Sequence, residues 1–175
     1  MLNAERLTGA QIEEALERLS GALERGGHRA QIYLVGGAVM CIVHNAREST
    51  RDVDAWFTEP AAVRAAAAEV GRDMGLPEDW LNDAAKAFLP AGAGFDAWRS
   101  FPSLDVSVAD DRTLLAMKCA AARTAEDAGD IRFLARRLAL KTSGAVLQVV
   151  AAYYPADRLP VRARLLLEEL FDDGG

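Results

Sequence analysis

The chain is poor in cysteine, in histidine and in long apolar runs, and each scarcity excludes something. Two cysteines in 175 residues, Cys41 and Cys119, supply no disulfide framework. Both sit among apolar, helix-forming neighbours and read as buried free thiols. The two histidines, His28 and His44, stand apart in the chain. His28 falls in a turn and reads as a surface residue; His44 ends an apolar helix and reads as a cap on its carboxyl end. A lone imidazole makes no zinc site. The amino-terminal MLNAERLTGAQIEE has no apolar signal core, and no apolar run is long enough to span a bilayer. A cytoplasmic protein with no membrane partner is therefore expected. Positive charge is also short: 20 Lys and Arg face 26 Asp and Glu, a net charge of −6. That balance argues against a general polyanion-binding surface and leaves nucleic acid only a local basic patch. There is no internal repeat and no low-complexity segment.

What is abundant is apolar surface. Hydrophobic residues make up 51% of the chain, ample for the core of one domain with a helical extension. The most informative stretch is Tyr33–Phe57, YLVGGAVMCIVHNARESTRDVDAWF. Ile32–Val35 is apolar and β-prone and reads as a buried strand. Gly36 and Gly37 turn the chain into an apolar helix over 38–43. Asp52–Phe57 then alternates as a second strand. Alternation puts Asp52 and Asp54 on one face and Val53, Ala55 and Phe57 on the other.

Two carboxylates on one strand face repel each other unless a cation lies between them. Oxygen-only ligation suits Mg²⁺ or Mn²⁺, and Mg²⁺ commonly takes one or two protein carboxylates with substrate phosphates. The glycine pair opens backbone amides at a helix amino end, where an anion is favoured, and lets a phosphate come close. Arg47 and Arg51, in the polar link HNARESTR, can neutralise phosphates, or can pair with Glu48 and neighbouring acids. A phosphate cradle beside a divalent cation is the minimal equipment of phosphoryl or nucleotidyl transfer.

The order glycine pair, helix, Asp-x-Asp strand resembles the nucleotidyltransferase superfamily. The Gly-Gly form is similar to its AbiEii/MNT-type branch, which includes toxin components of toxin–antitoxin systems. The strings Trp80-Leu81-Asn82-Asp83 and LLAMKCAAARTAEDAGDIRFL resemble an allied bacterial nucleotidyltransferase-like family. The resemblance implies transfer of a nucleoside monophosphate from a nucleoside triphosphate to an acceptor hydroxyl. The acceptor would be an RNA such as tRNA, or a protein, and an antitoxin protein would be a partner. It also implies a third carboxylate on the strand beside Asp-x-Asp. Asp105 fits that place, with Asp127 or Asp130 as substitutes. Lys118 would contact the phosphates, and Asn82 or Asp83 would lie near substrate. Many members carry Gly-Ser; Gly37 has no hydroxyl, so Ser49 or Lys118 would have to help the backbone amides. Two other functions fit the same residues: a non-catalytic binding or regulatory module of this fold, and a small-molecule nucleotidyltransferase of the antibiotic-modifying type.

The remaining chain completes an α+β reading: a small mixed sheet flanked by helices over 1–112, then a helical part over 113–175. Thr8-Gly9-Ala10-Gln11 is a capping box for a helix carrying Ile12, Leu16, Leu19 and Leu23. Pro60 and Pro77 each start a helix, the second carrying Trp80–Asp83. Trp98–Phe101 reads as a short edge strand, and Leu104–Val108 as a strand with Leu104, Val106 and Val108 inward. Lys118 lies in an apolar helix and by itself would snorkel. Asp130 reads as the cap of a helix starting at Ile131, and Asp127 as a partner of Arg123. Arg132, Arg136, Arg137 and Lys141, with Arg158, Arg162 and Arg164, form the only concentrated positive charge. They make an RNA-facing patch or a solvated helix face.

Overall fold

The structure, a computed structural model, describes residues 6–121 and 125–172, with the backbone only at Glu126. The elements run β1 (Leu7–Thr8), α1 (Gly9–Arg25), β2 (Ala30–Leu34), α2 (Gly36–Ile42), β3 (Ser49–Thr50), β4 (Val53–Phe57), α3 (Pro60–Met74), β5 (Leu81–Asn82), β6 (Phe95–Phe101), β7 (Leu104–Ala109), α4 (Asp111–Ala121), α5 (Ala125–Arg137), α6 (Ser143–Ala151) and α7 (Val161–Phe171). This is a mixed α+β fold. The chain divides into two compact units: one holds residues to Ala87 together with Phe95–Ala109, the other Phe88–Gly94 and everything from Asp110. The second unit begins at Asp110 because that residue belongs to the helix it precedes. Its Oδ1 accepts the Thr113 amide at 2.8 Å, and its own amide donates to the Gly94 carbonyl at 3.0 Å.

The first unit is a five-stranded sheet in the order β5-β4-β2-β7-β6, plus the small β1-β3 pair. β2 runs antiparallel to β4 and parallel to β7; β5 is parallel to β4, and β6 antiparallel to β7. Alternation sorts the two faces. Ile32, Leu34, Val53, Ala55, Phe57, Leu104, Val106 and Val108 are buried. They form a core with Ile12, Leu16, Leu19 and Leu23 of α1 and Val63 and Val70 of α3. The opposite face carries Gln31, Tyr33, Asp54, Trp56, Asp105 and Ser107, with Tyr33 stacked on Trp56 at 4.7 Å between ring centroids. The capping box forms as the sequence indicates: the Gln11 amide donates to Thr8 Oγ1, and the Thr8 amide to Gln11 Oε1 at 2.9 Å.

Two local expectations change in this unit. The Trp80–Asp83 string is not helical; Leu81 and Asn82 pair with Val53 and Asp54 as edge strand β5. Trp80 is fully buried, its indole N–H donates to the Ala67 carbonyl at 2.9 Å, and its own carbonyl accepts the Val53 amide. A helix there would leave the edge of β4 unpaired and the indole without that bond. β6 is longer than expected, starting at Phe95, with an irregularity between Ala97 and Arg99. The bulge turns Arg99 to the helix side, where it pairs with Glu13 of α1 at 3.0 Å.

In the helical unit α4 packs against α5, α6 and α7. Leu114, Leu115, Ile131, Leu134, Val146, Val150, Ala163 and Leu167 form its core. Helix α5 begins at Ala125, so Asp130 lies inside a helix and caps none. Arg123, the expected partner of Asp127, lies outside the described residues. Thr142 caps α6 by accepting the Ala145 amide at 3.1 Å.

Candidate active site

The candidate site lies where β2 ends and α2 begins. Gly36 has φ +66°, a left-handed conformation that side-chain-bearing residues adopt at a cost. A Cβ built on it would stand 3.3 Å from Oδ2 of Asp54, so the carboxylate lies directly against the glycine. The backbone brings them together, since the Val35 amide donates to the Asp54 carbonyl at 3.0 Å. Gly37 is required for a different reason. A Cβ there would sit 2.5 Å from Thr50 Oγ1 and 3.0 Å from an Arg47 guanidinium nitrogen. The second glycine therefore lets β3 and Arg47 pack against the first turn of α2, whose N-cap residue Val35 makes no side-chain capping bond. Arg47 thus reaches the corner, whereas Arg51 is exposed.

Asp52 lies one residue ahead of β4 and, like Asp54, is half-buried. It is held from the neighbouring strand: Asn82 Nδ2 donates to Asp52 Oδ2 at 3.0 Å. The Asn82 Oδ1 accepts the Ala84 amide at 3.2 Å, which starts the short 3₁₀ turn Ala84–Phe88. Sequence reasoning put Asn82 near substrate through a resemblance; its bond to Asp52 appears only once β5 pairs with β4. Asp83 is committed elsewhere, in an ion pair with Arg64. Ser49 is engaged too, its Oγ accepting from Arg6 Nε and its carbonyl from Arg6 Nη2, both at 2.9 Å.

Asp105 does not join this corner. In the parallel β2–β7 pair it stands beside Gln31, while Asp54 stands beside Val35, four residues further and roughly 13 Å along the strand. At its own end of the sheet Asp105 accepts from Ser100 Oγ and from Arg29, the latter at 2.8 Å. The Ser100 hydrogen bond and then the Arg29 guanidinium hold its carboxyl below the usual aspartate range. The β7 residue level with Asp54 follows from the Leu34–Val108 pair: it is Ala109, which has no ligand atom. The two alternatives to Asp105 do not belong to this unit either. Asp127 and Asp130 belong to the helical unit, where both accept from Lys118 Nζ, at 3.0 and 2.9 Å. That triad is buried, with side-chain exposures of 10%, 9% and 5%, and it engages the ammonium expected at the phosphates. Among the described residues no three His, Cys, Asp or Glu side chains are grouped to hold a metal ion.

The other polar candidates are on the surface. His28 is exposed, as are Arg132, Arg136, Lys141, Arg158, Arg162 and Arg164. Arg137 pairs with Asp111 at 2.9 Å. Cys41 and Cys119 are buried and form no disulfide among the described residues, and burial, followed by the charge of Asp127, pushes Cys119 up to about 12. Among the described residues no helix is long and apolar enough to cross a membrane. No protein-family model matches the chain, and no curated protein and no solved structure matches it.

Proposed function

We propose that the corner formed by Gly36, Asp52 and Asp54 binds a nucleoside triphosphate with a divalent cation, Mg²⁺ or Mn²⁺. On this reading the protein, working in the cytoplasm, transfers a nucleotidyl group to an acceptor hydroxyl. The observation that supports it is the contact between Asp54 Oδ2 and Gly36, whose left-handed backbone opens α2. Two carboxylates at the start of β4 fit a hard cation that also takes phosphate oxygens. When bound, the cation supplies charge neutralisation at the phosphates and at the attacking and leaving oxygens. The protein's own contribution is to orient the two carboxylates and to bring the Arg47 guanidinium to the α2 turn. The resemblance of Tyr33–Phe57 to the AbiEii/MNT-type branch supports RNA or protein as the acceptor and an antitoxin as a partner.

Calorimetric titration with Mn²⁺ and each nucleoside triphosphate tests the binding. Cation-dependent binding is expected in the wild type and is abolished in a folded Asp52→Asn/Asp54→Asn variant. Labelled triphosphate incubated with total RNA, protein and small-molecule extract then identifies the acceptor class. Binding that persists without a cation, or survives the double substitution, removes the reading.

Ala109 favours a second reading. With no carboxylate on β7 level with Asp54, the fold can bind a metal–nucleotide and serve as a regulatory module without catalysis. Cation-dependent binding with no label transferred to any extract would select that function.

A further inference from the structure

We propose that Asn82 is a positioning residue, which holds the Asp52 carboxylate in the orientation that receives the cation. The inference rests on the metal–nucleotide reading of the corner. Asn82 stands level with Asp54 across the parallel β4–β5 pair, and its side chain bridges two groups. Its oxygen accepts the Ala84 amide, and its nitrogen donates to Asp52 Oδ2. The amide cannot be turned over, because an ionised carboxylate only accepts and a backbone N–H only donates. Both polar ends of Asn82 are thus bonded to protein, and the bond from its nitrogen fixes Asp52.

The bond also explains the construction of this edge. Buried Trp80 anchors the strand that carries Asn82, through the bonds Trp80 Nε1–Ala67 O and Val53 N–Trp80 O. Asp52 lies just outside β4, where the sheet ladder no longer dictates its side-chain direction. A donor fixed on the neighbouring strand supplies that direction. Outer-shell partners of ligating carboxylates typically govern metal affinity by 10- to 100-fold.

Asn82→Ser separates positioning from local structure. The serine hydroxyl can still accept the Ala84 amide but is too short to reach Asp52. With Mn²⁺ and a non-hydrolysable ATP analogue, the Kd of Asn82→Ser is expected to rise about 10- to 100-fold with the fold unchanged by circular dichroism. A Kd within twofold of the wild type overturns the proposal. A second measurement needs no nucleotide: a double-mutant cycle of Asn82→Ser and Asp52→Ala on the urea midpoint. Non-additive midpoints are expected, because the serine variant has nothing left to lose once Asp52 is gone; additive midpoints overturn the proposal. Absence of metal–nucleotide binding in the wild type would refute the proposed function, while the cycle would still report whether Asn82 holds Asp52.

Discussion

Replacing Gly37 by alanine tests why a glycine pair stands at this corner. The new methyl group would lie 2.5 Å from Thr50 Oγ1 and 3.3 Å from Thr50 Cβ. Rotating the threonine moves only the first of these atoms, and Thr50 is 5% exposed, so backbone must shift as well. Overpacking of this kind costs about 1–3 kcal/mol. With a urea m-value of about 2 kcal/mol per M, the midpoint should fall by roughly 0.5–1.5 M. Thr50→Ala removes the clashing hydroxyl. The Gly37→Ala/Thr50→Ala variant should therefore be more stable than the sum of the single changes, by about 1 kcal/mol or more. Equilibrium urea unfolding followed by Trp fluorescence measures all four proteins. A Gly37→Ala midpoint equal to wild type, or strict additivity in the cycle, would refute the packing origin of this glycine. The repaired double variant has a further use. If it regains stability yet fails to bind Mn²⁺–nucleotide, Gly37 also serves the ligand directly.

Further predictions concern the same fold. Gly36→Asn should be less destabilising than Gly36→Ala, which is expected to cost about 1–2 kcal/mol, because asparagine tolerates the left-handed region better; equal losses in urea would show that the 3.3 Å contact with Asp54 dominates. Lys118→Met strips the ammonium from two carboxylates no more than 9% exposed and should cost about 3–5 kcal/mol in thermal or urea unfolding. A loss under 1 kcal/mol would mean that the ammonium is not what holds them. Cys119 keeps its proton in the fold up to about pH 12, whereas an unfolded thiol ionises near its ordinary value of 9.0. Stability from this group is thus complete below pH 9 and is lost as pH rises toward 12, by up to about 1.4 kcal/mol per unit. Burial pushes Tyr154 up to about 12 as well, so the test is whether Cys119→Ala flattens the alkaline slope. An unchanged slope would remove the thiol as its cause.

The sequence by itself determined what depends on neighbours along the chain. The Thr8–Gln11 capping box, the glycine turn into α2 and the inward set Leu104, Val106 and Val108 were all legible, because periods of 2 and 3.6 and short-range caps are local properties. The same locality made Asp52 and Asp54 visible as candidates. Tertiary structure decided the rest. Alternation tells which face a strand residue takes but not its level along the sheet. Asp105 therefore takes the face the alternation indicates but stands four residues along the sheet from the level of Asp54, where Ala109 lies. The Trp80–Asp83 string has the composition of a helix start. It became strand β5 because β4 had an edge to pair and Trp80 had a buried site with the Ala67 carbonyl. Asp127 and Asp130 looked like a partner of Arg123 and a helix cap; the packing of α4 against α5 brings both to Lys118, an attraction between helices that the propensity of either could not display. The hold of Asn82 on Asp52 spans 30 positions of sequence and exists only because two strands lie side by side.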